Sequence, residues 1–209
     1  MTDEELMASA QENIALYDKS GEQHYDIISA FIKSVRGSAP DAAIYYLARM
    51  LHGGEDVKFI ARRLIILASE DIGNANPNAL LLANACFDAV KNIGMPEARI
   101  ILAQATTYLA SSEKSNAAYM AINKAMSYVS QQPAHPVPLH LRNAPSKLMK
   151  QMGYGKGYKY SHDYEGSAGN QQFLPDDVKD ERFYHPKEKG SETKLKRFLD
   201  QQWNGRFSR

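Results

Sequence analysis

Between His24 and Asp71, apolar residues recur at helical spacing and charged residues punctuate them. On a wheel of about 100° per residue, Ile27, Ile28, Phe31, Ile32 and Val35 share one face. Asp26, Ser29, Lys33 and Arg36 form a narrow polar stripe opposite, the pattern of an amphipathic helix. Gly37 offers the positive φ that ends such a helix, and Ser38-Ala39-Pro40-Asp41 reads as a capping box with proline near the first helical position. In the second helix Ile44, Leu47, Ala48 and Leu51 make the apolar face, and Gly53-Gly54 breaks it. Glu55-Asp56 then open a third helix carrying Val57, Ile60, Ala61, Leu64, Ile65 and Ala68.

The helical pattern continues past Asp71. Asn76-Pro77 starts a segment in which Leu80, Leu81, Asn84, Phe87 and Val90 mostly share a face, and Gly94 closes it. Pro96-Glu97 opens a fifth helix through Ile100, Ile101, Ala103 and Tyr108. Ser115 is placed to cap a sixth, with Ala117, Met120, Ala121 and Met126. Pro133, Pro136 and Pro138 end this helical core at about residue 131. A short amphipathic helix, SKLMKQM, leads into GYGKGYKYSHDYEGSAGN, where glycine, tyrosine and lysine replace periodicity. Phe173-Leu174-Pro175 and Phe183-Tyr184 are suited to pin that segment by burying aromatic area. A last helix is predicted over Glu192 to Trp203. With no strand alternation and no fixed repeat, the pattern predicts an all-α, compact helical bundle with an irregular basic segment over 132–190.

Composition narrows the setting. The 209 residues, 44% hydrophobic, suffice for a core, while the amino terminus MTDEELMASA is acidic and no apolar run of membrane-spanning length occurs. A cytoplasmic protein is therefore expected. The single cysteine, Cys86, lies among apolar neighbours and excludes an internal disulfide or a cysteine zinc cage. The net charge of +1 hides an uneven distribution. No acidic residue stands between Glu113 and Asp163, an interval holding seven of the 25 basic residues. The remainder then carries 18 basic against 24 acidic residues, so a +7 interval sits in a chain that is otherwise −6.

Gly153-Tyr154-Gly155-Lys156-Gly157 suggests a phosphate loop but fails the pattern, because Gly157 stands where Ser or Thr must reach magnesium and Lys150 where the first glycine belongs. A single-stranded nucleic-acid surface fits this region better. Arg142, Lys147, Lys150, Lys156 and Lys159 can neutralise phosphates, and Tyr154, Tyr158 and Tyr160 can stack on bases. The competing reading is a loop packed by its tyrosines, with solvated lysines. His135 and His140 lack metal-ligand spacing, Ser161-His162-Asp163 are neighbours that rarely face one another, and Glu70-Asp71 after Arg62-Arg63 read as helix-end ion pairs. No catalytic, cofactor-binding or metal-binding residue is assigned.

The blocks HYDIISAFIKSVRGS, PDAAIYYLARMLHGGEDVKFIARRLIILASEDIGNANP, PEARIILAQATTYLASSEKSNAAY, VPLHLRNAPSKLMKQMGYGKGYKYSHD and FLPDDVKDERFYHP resemble, in order, the carboxy-terminal part of the RarA/MgsA family. These are replication-associated recombination proteins related to the Werner-helicase-interacting ATPase. The resemblance covers roughly residues 14 to 203. It implies a DNA-dependent AAA+ ATPase akin to clamp loaders, acting in replication, recombination and repair at stalled forks and on gapped or single-stranded DNA. It also implies a homotetramer held by a clamp-loader-collar-like oligomerisation domain. Residues 1–38 would be the end of the AAA+ associated helical region and 39–205 the carboxy-terminal domain. ATP and magnesium are expected in a module preceding this region, so the chain is expected to be a fragment, inactive alone. DNA, a single-strand binding protein and other replisome components become the implied partners, at the nucleoid. On this reading Asp26, Ser29, Lys33 and Arg36 face the junction with the ATPase module. The alternative is a helical scaffold that recruits replication partners without touching DNA. Where the family usually has GSDPDAA, this chain has Ala39, so any role of a carboxylate there is lost.

Overall fold

The computed structural model describes residues 21–163, 171–203 and 207. Residues 1–20 and the 164–170 part of the glycine- and tyrosine-rich segment lie outside the described residues. Among the described residues there are eight α-helices and no strand, so the chain is all-α. None of these helices is long and apolar enough to cross a membrane. The chain divides into two compact units, Met1–Asn116 and Ala117–Arg209.

The first unit holds α1 (Gly21–Arg36), α2 (Pro40–His52), α3 (Val57–Leu67), α4 (Asn78–Ile93) and α5 (Ala98–Ser111). Helix α5 is the hub and packs against each of the other four. Phe31, Val35, Leu47, Met50, Ile60, Leu64, Leu67, Leu102 and Leu109 form the centre of one continuous core. Burying each such side chain is worth about 1.5–3 kcal/mol. Asp56 caps α3 by accepting from the amides of Lys58 at 2.9 Å and Phe59 at 3.2 Å.

The α1–α2 joint differs from the capping box that the sequence predicts. Ala39 occupies the N-cap of α2 and makes no side-chain cap bond. The left-handed residue that ends α1 is Ser38, with φ 57°, not Gly37. The Ala39 amide donates to Ser34 O at 2.9 Å and the Ser38 amide to Val35 O at 3.2 Å, the paired bonds of a Schellman motif. A Cβ on Gly37 would lie 3.0 Å from Lys33 O, a tight contact that a small shift of the carbonyl would have to relieve.

Two further faces are rotated from expectation. Helix α4 buries Ala79, Ala83, Cys86 and Val90 and turns Leu81 out, 68% exposed. Helix α5 buries Ala98, Leu102, Ala105 and Leu109 while Ile100 is exposed. Small side chains let neighbouring helices approach, and an apolar count weighted towards large residues overlooks them.

The second unit holds α6 (Ala117–Gln131), α7 (Lys147–Gln151) and α8 (Glu192–Gln202). Its chain past Gln131 runs through 3-10 turns at Leu139–Leu141, Ser161–Asp163 and Asp176–Val178. Of the aromatic pins predicted from sequence, Phe183 and Tyr184 are partly buried, whereas Phe173 stays 40% exposed. Phe183 meets Tyr128 of α6 edge-on at 5.7 Å, and Phe173 meets Trp203 at 6.2 Å. Lys124 donates to Arg182 O at 2.6 Å, and the Tyr184 hydroxyl donates at 2.6 Å to Glu192, fully buried at the start of α8. Helix α6 departs from expectation, because it buries only Ala117 and leaves Met120 and Met126 exposed.

Candidate nucleic-acid interface

Ser146 starts α7 by accepting from the Met149 amide at 3.2 Å, and α7 carries Lys147 and Lys150 into solvent. Beyond it Gly153, Gly155 and Gly157 have φ of 84°, 73° and 82°, so alternate residues of the loop take left-handed backbone. The loop is braced from beneath. Arg142 Nε donates to Val137 O at 2.7 Å, one of its terminal nitrogens donates to the Tyr154 hydroxyl at 3.2 Å, and its guanidinium stands 5.1 Å from the centre of the Tyr154 ring. The Gly155 amide donates to Leu139 O at 2.9 Å.

The predicted surface residues therefore separate into two groups. Arg142 and Tyr154 are half-buried and hold each other, positioning the loop. Lys147, Lys150, Lys156, Lys159 and Tyr158 are exposed, together with Tyr160. An exposed ring beside amines is available for stacking while the amines meet phosphates. His135 and His140 are engaged separately, the first 3.2 Å from Asp177 and the second 2.7 Å from Gln172 O. Among the described residues no three His, Cys, Asp or Glu side chains gather to hold a metal ion.

The same loop does not fit a nucleotide. Its amides at Gly153, Tyr154, Gly155, Lys156 and Tyr158 already donate to the carbonyls of Lys150, Met149, Leu139, Gly153 and Gly155. They are thus not free to encircle a phosphate.

In the first unit, the α1 stripe is divided in a similar way. Asp26, Ser29 and Lys33 lie exposed along α1. Arg36 instead turns onto the chain itself, pairing through Nε with Asp71 Oδ1 and through a terminal nitrogen with Glu70 Oε1 at 3.1 Å. The sequence placed Glu70-Asp71 in an ion pair but not with Arg36, because the partner is 34 and 35 residues away. A residue that sequence reasoning missed completes the cluster. Lys114 donates to Ser38 Oγ, Leu109 O and Ala110 O, each at 3.0 Å, and to Ser112 O. Burial pulls the Lys114 ammonium below the usual lysine range, and the nearby Asp71 carboxylate opposes that shift. The only sequence signal for this role was a lysine just past the end of a helix, where it can cap carbonyls.

The comparisons with known proteins agree on the region. Residues 37–203 match the family model described as "MgsA AAA+ ATPase C terminal", and residues 1–36 match one described as "AAA C-terminal domain". The chain is 46% identical over 190 residues to Replication-associated recombination protein A of Haemophilus influenzae, covering 90% of this chain and 43% of that protein. It is 45% identical over 191 residues to the protein of the same name from Escherichia coli K12, covering 91% and 43%. To ATPase WRNIP1 of Dictyostelium discoideum it is 41% identical over 188 residues, covering 90% and 22%. It thus spans less than half the length of each of these three relatives. A family match over residues 37–203 of 209 decides the assignment: the chain belongs to the family of MgsA-type AAA+ ATPase C-terminal regions.

Proposed function

We propose that this chain joins subunits of a DNA-dependent AAA+ ATPase of replication-associated recombination into a homotetramer and offers single-stranded or gapped DNA a surface at residues 147–160. The name shared by the bacterial relatives supports the setting. The observation that carries the DNA contact is the exposed set of Lys147, Lys150, Lys156 and Lys159 with Tyr158 and Tyr160, on a braced loop in an interval without a single acidic side chain. Amines on a fixed loop neutralise phosphates, and rings beside them accept unpaired bases. ATP binding and hydrolysis, and the magnesium they need, belong on this reading to another part of the protein. The bound DNA holds the assembly at the nucleoid, where a single-strand binding protein and other replisome components are its neighbours.

The test is fluorescence anisotropy of a labelled oligo-dT titrated at several salt concentrations. Four lysine contacts to a single strand give a slope of log K against log salt of about −3. The double reversal Lys150→Glu/Lys156→Glu is expected to bring that slope towards about −1 and to weaken binding at low salt most. An unchanged slope and affinity in the reversed variant, with unchanged circular dichroism, removes this surface from the proposal.

A further inference from the structure

The two family matches meet between Arg36 and Gly37, and a boundary between two such regions is ordinarily a linker that flexes. Here a core runs through it. Helix α1, on the near side, buries Ile27, Ile28, Phe31 and Val35 at 8% exposure or less, and it packs against α2, α3 and α5 on the far side. The joint itself is equally engaged. The amides of Gly37, Ser38 and Ala39 donate back into α1, to Lys33 O at 2.8 Å, Val35 O at 3.2 Å and Ser34 O at 2.9 Å, and Pro40 follows with a fixed φ and no amide to give. A hinge needs residues that can absorb a change of φ and ψ. These four are each held by a bond or a ring.

Side chains from two distant segments close on the same joint. Arg36 pairs with Asp71 and, at 3.1 Å, with Glu70, both just past α3. Lys114, from beyond α5, donates to Ser38 Oγ at 3.0 Å and to the carbonyls of Leu109 and Ala110. Asp71 acts on both cations, pairing with the first and opposing the downward pull of burial on the second. Among the described residues Ser38 is the one non-glycine with positive φ, at 57°, a conformation that persists only where its surroundings impose it. We propose that Arg36 and Lys114 bolt this joint, through Asp71 and Ser38, so that a displacement of α1 carries α2, α3, α4 and α5 with it as one rigid body. Packed helices transmit such a push as a block, because a close-packed core has discrete arrangements and no continuous give. A push from an ATP-hydrolysing part of the protein, as read above, thus reaches α5 undamped, and the joint stands whether or not that reading does.

Double electron–electron resonance on the whole chain reads the joint directly. Nitroxides are attached at Ser29→Cys on α1 and Asn84→Cys on α4, both exposed positions, and a reference pair at Lys58→Cys on α3 and Asn84→Cys spans the far side alone. The native thiol, Cys86, is 4% exposed and its pKa is pushed up to about 11 by burial, so it stays unlabelled. The expected result is one narrow distance distribution for the α1 pair, no wider than that of the reference pair. A broad or two-peaked distribution for the α1 pair alone overturns the proposal. Arg36→Ala/Ser38→Ala removes both side-chain bonds and leaves Lys114 its carbonyls on α5. With unchanged circular dichroism it is expected at least to double the width for the α1 pair and to leave the reference pair as it was. If the double variant does not fold, Ser38→Ala alone, which loses only the bond from Lys114, is expected to broaden the same pair. An unchanged width, or equal broadening of both pairs, assigns these side chains to general stability and overturns the bolt. Either failure leaves the reading of ATP hydrolysis elsewhere in the protein intact.

Discussion

The ion pair between Arg36 and Asp71 gives a measurable asymmetry. Asp71 is 8% exposed and Arg36 47% exposed, so water solvates one partner and not the other. Arg36→Ala leaves a buried carboxylate that has lost its guanidinium, and its second oxygen, Oδ2, has no hydrogen-bond partner among the described residues. One-sided loss of a fully buried pair costs about 3–5 kcal/mol, and exposed pairs are worth about 0.2–1 kcal/mol. For this half-exposed pair Arg36→Ala is therefore expected to cost about 2 kcal/mol. Asp71→Ala should cost less, about 1 kcal/mol, because the stranded guanidinium stays in water and the unpartnered Oδ2 disappears with the carboxylate. The double variant should show a coupling of about 1 kcal/mol that largely survives 1 M salt. Urea unfolding followed by far-ultraviolet circular dichroism measures all four corners of the cycle, with fluorescence of the single tryptophan, Trp203, reporting the second unit separately. A coupling under about 0.3 kcal/mol, or Asp71→Ala costing more than Arg36→Ala, would refute the reasoning.

Two other outcomes follow from the first unit. Gly73 and Gly54 both have positive φ, at 49° and 81°, but a Cβ on Gly73 would lie 2.6 Å from Ser115 O while one on Gly54 meets nothing within 4 Å. Gly54→Ala is expected to cost only the backbone strain, about 1 kcal/mol, and Gly73→Ala at least 2 kcal/mol more; similar urea midpoints for the two would contradict the close approach. Burial pushes the Cys86 thiol up to about 11 from 9.0, so the native state holds that proton more tightly than the unfolded chain. Its contribution is present below pH 9 and is lost as the pH rises through about 11. The stability of the unaltered chain should fall relative to Cys86→Ala over that window by up to about 3 kcal/mol, and parallel curves for the two proteins would exclude it.

Helical periodicity carried the element order because the terminators are local. Gly53-Gly54, Gly94 and the prolines from Pro133 act through backbone conformation within a few residues and the helices stop before them, while Asn76-Pro77 stands just before the start of α4. Which face each helix buries was less legible. In α4 the large Leu80 and Leu81 dominate any apolar count, yet Ala79, Ala83 and Cys86 face the core, because which stripe packs is decided by the neighbouring helix and not by α4 itself. The α1–α2 joint failed for a related reason. A serine at φ 57° is unfavourable in isolation and is accompanied here by a bond from Lys114, 76 residues further along the chain.

The same distinction between local and distant causes divides the candidate sites. The exposed lysines of the 147–160 loop were legible because their proposed role asks only for exposure and an absence of acids, both of which composition reports. Arg142 and Tyr154 were counted with them because residue type alone cannot tell a guanidinium that waits for a phosphate from one that braces a ring. Helix α6 reverses the lesson. Its apolar residues were read as core, since amphipathic periodicity marks a face that needs covering without naming what covers it. In α1 and α2 the cover comes from within the chain, where Phe31 and Leu47 are almost wholly buried. In α6 the residues at the same spacing remain exposed, so one pattern marks a buried face in the first unit and an exposed face in the second.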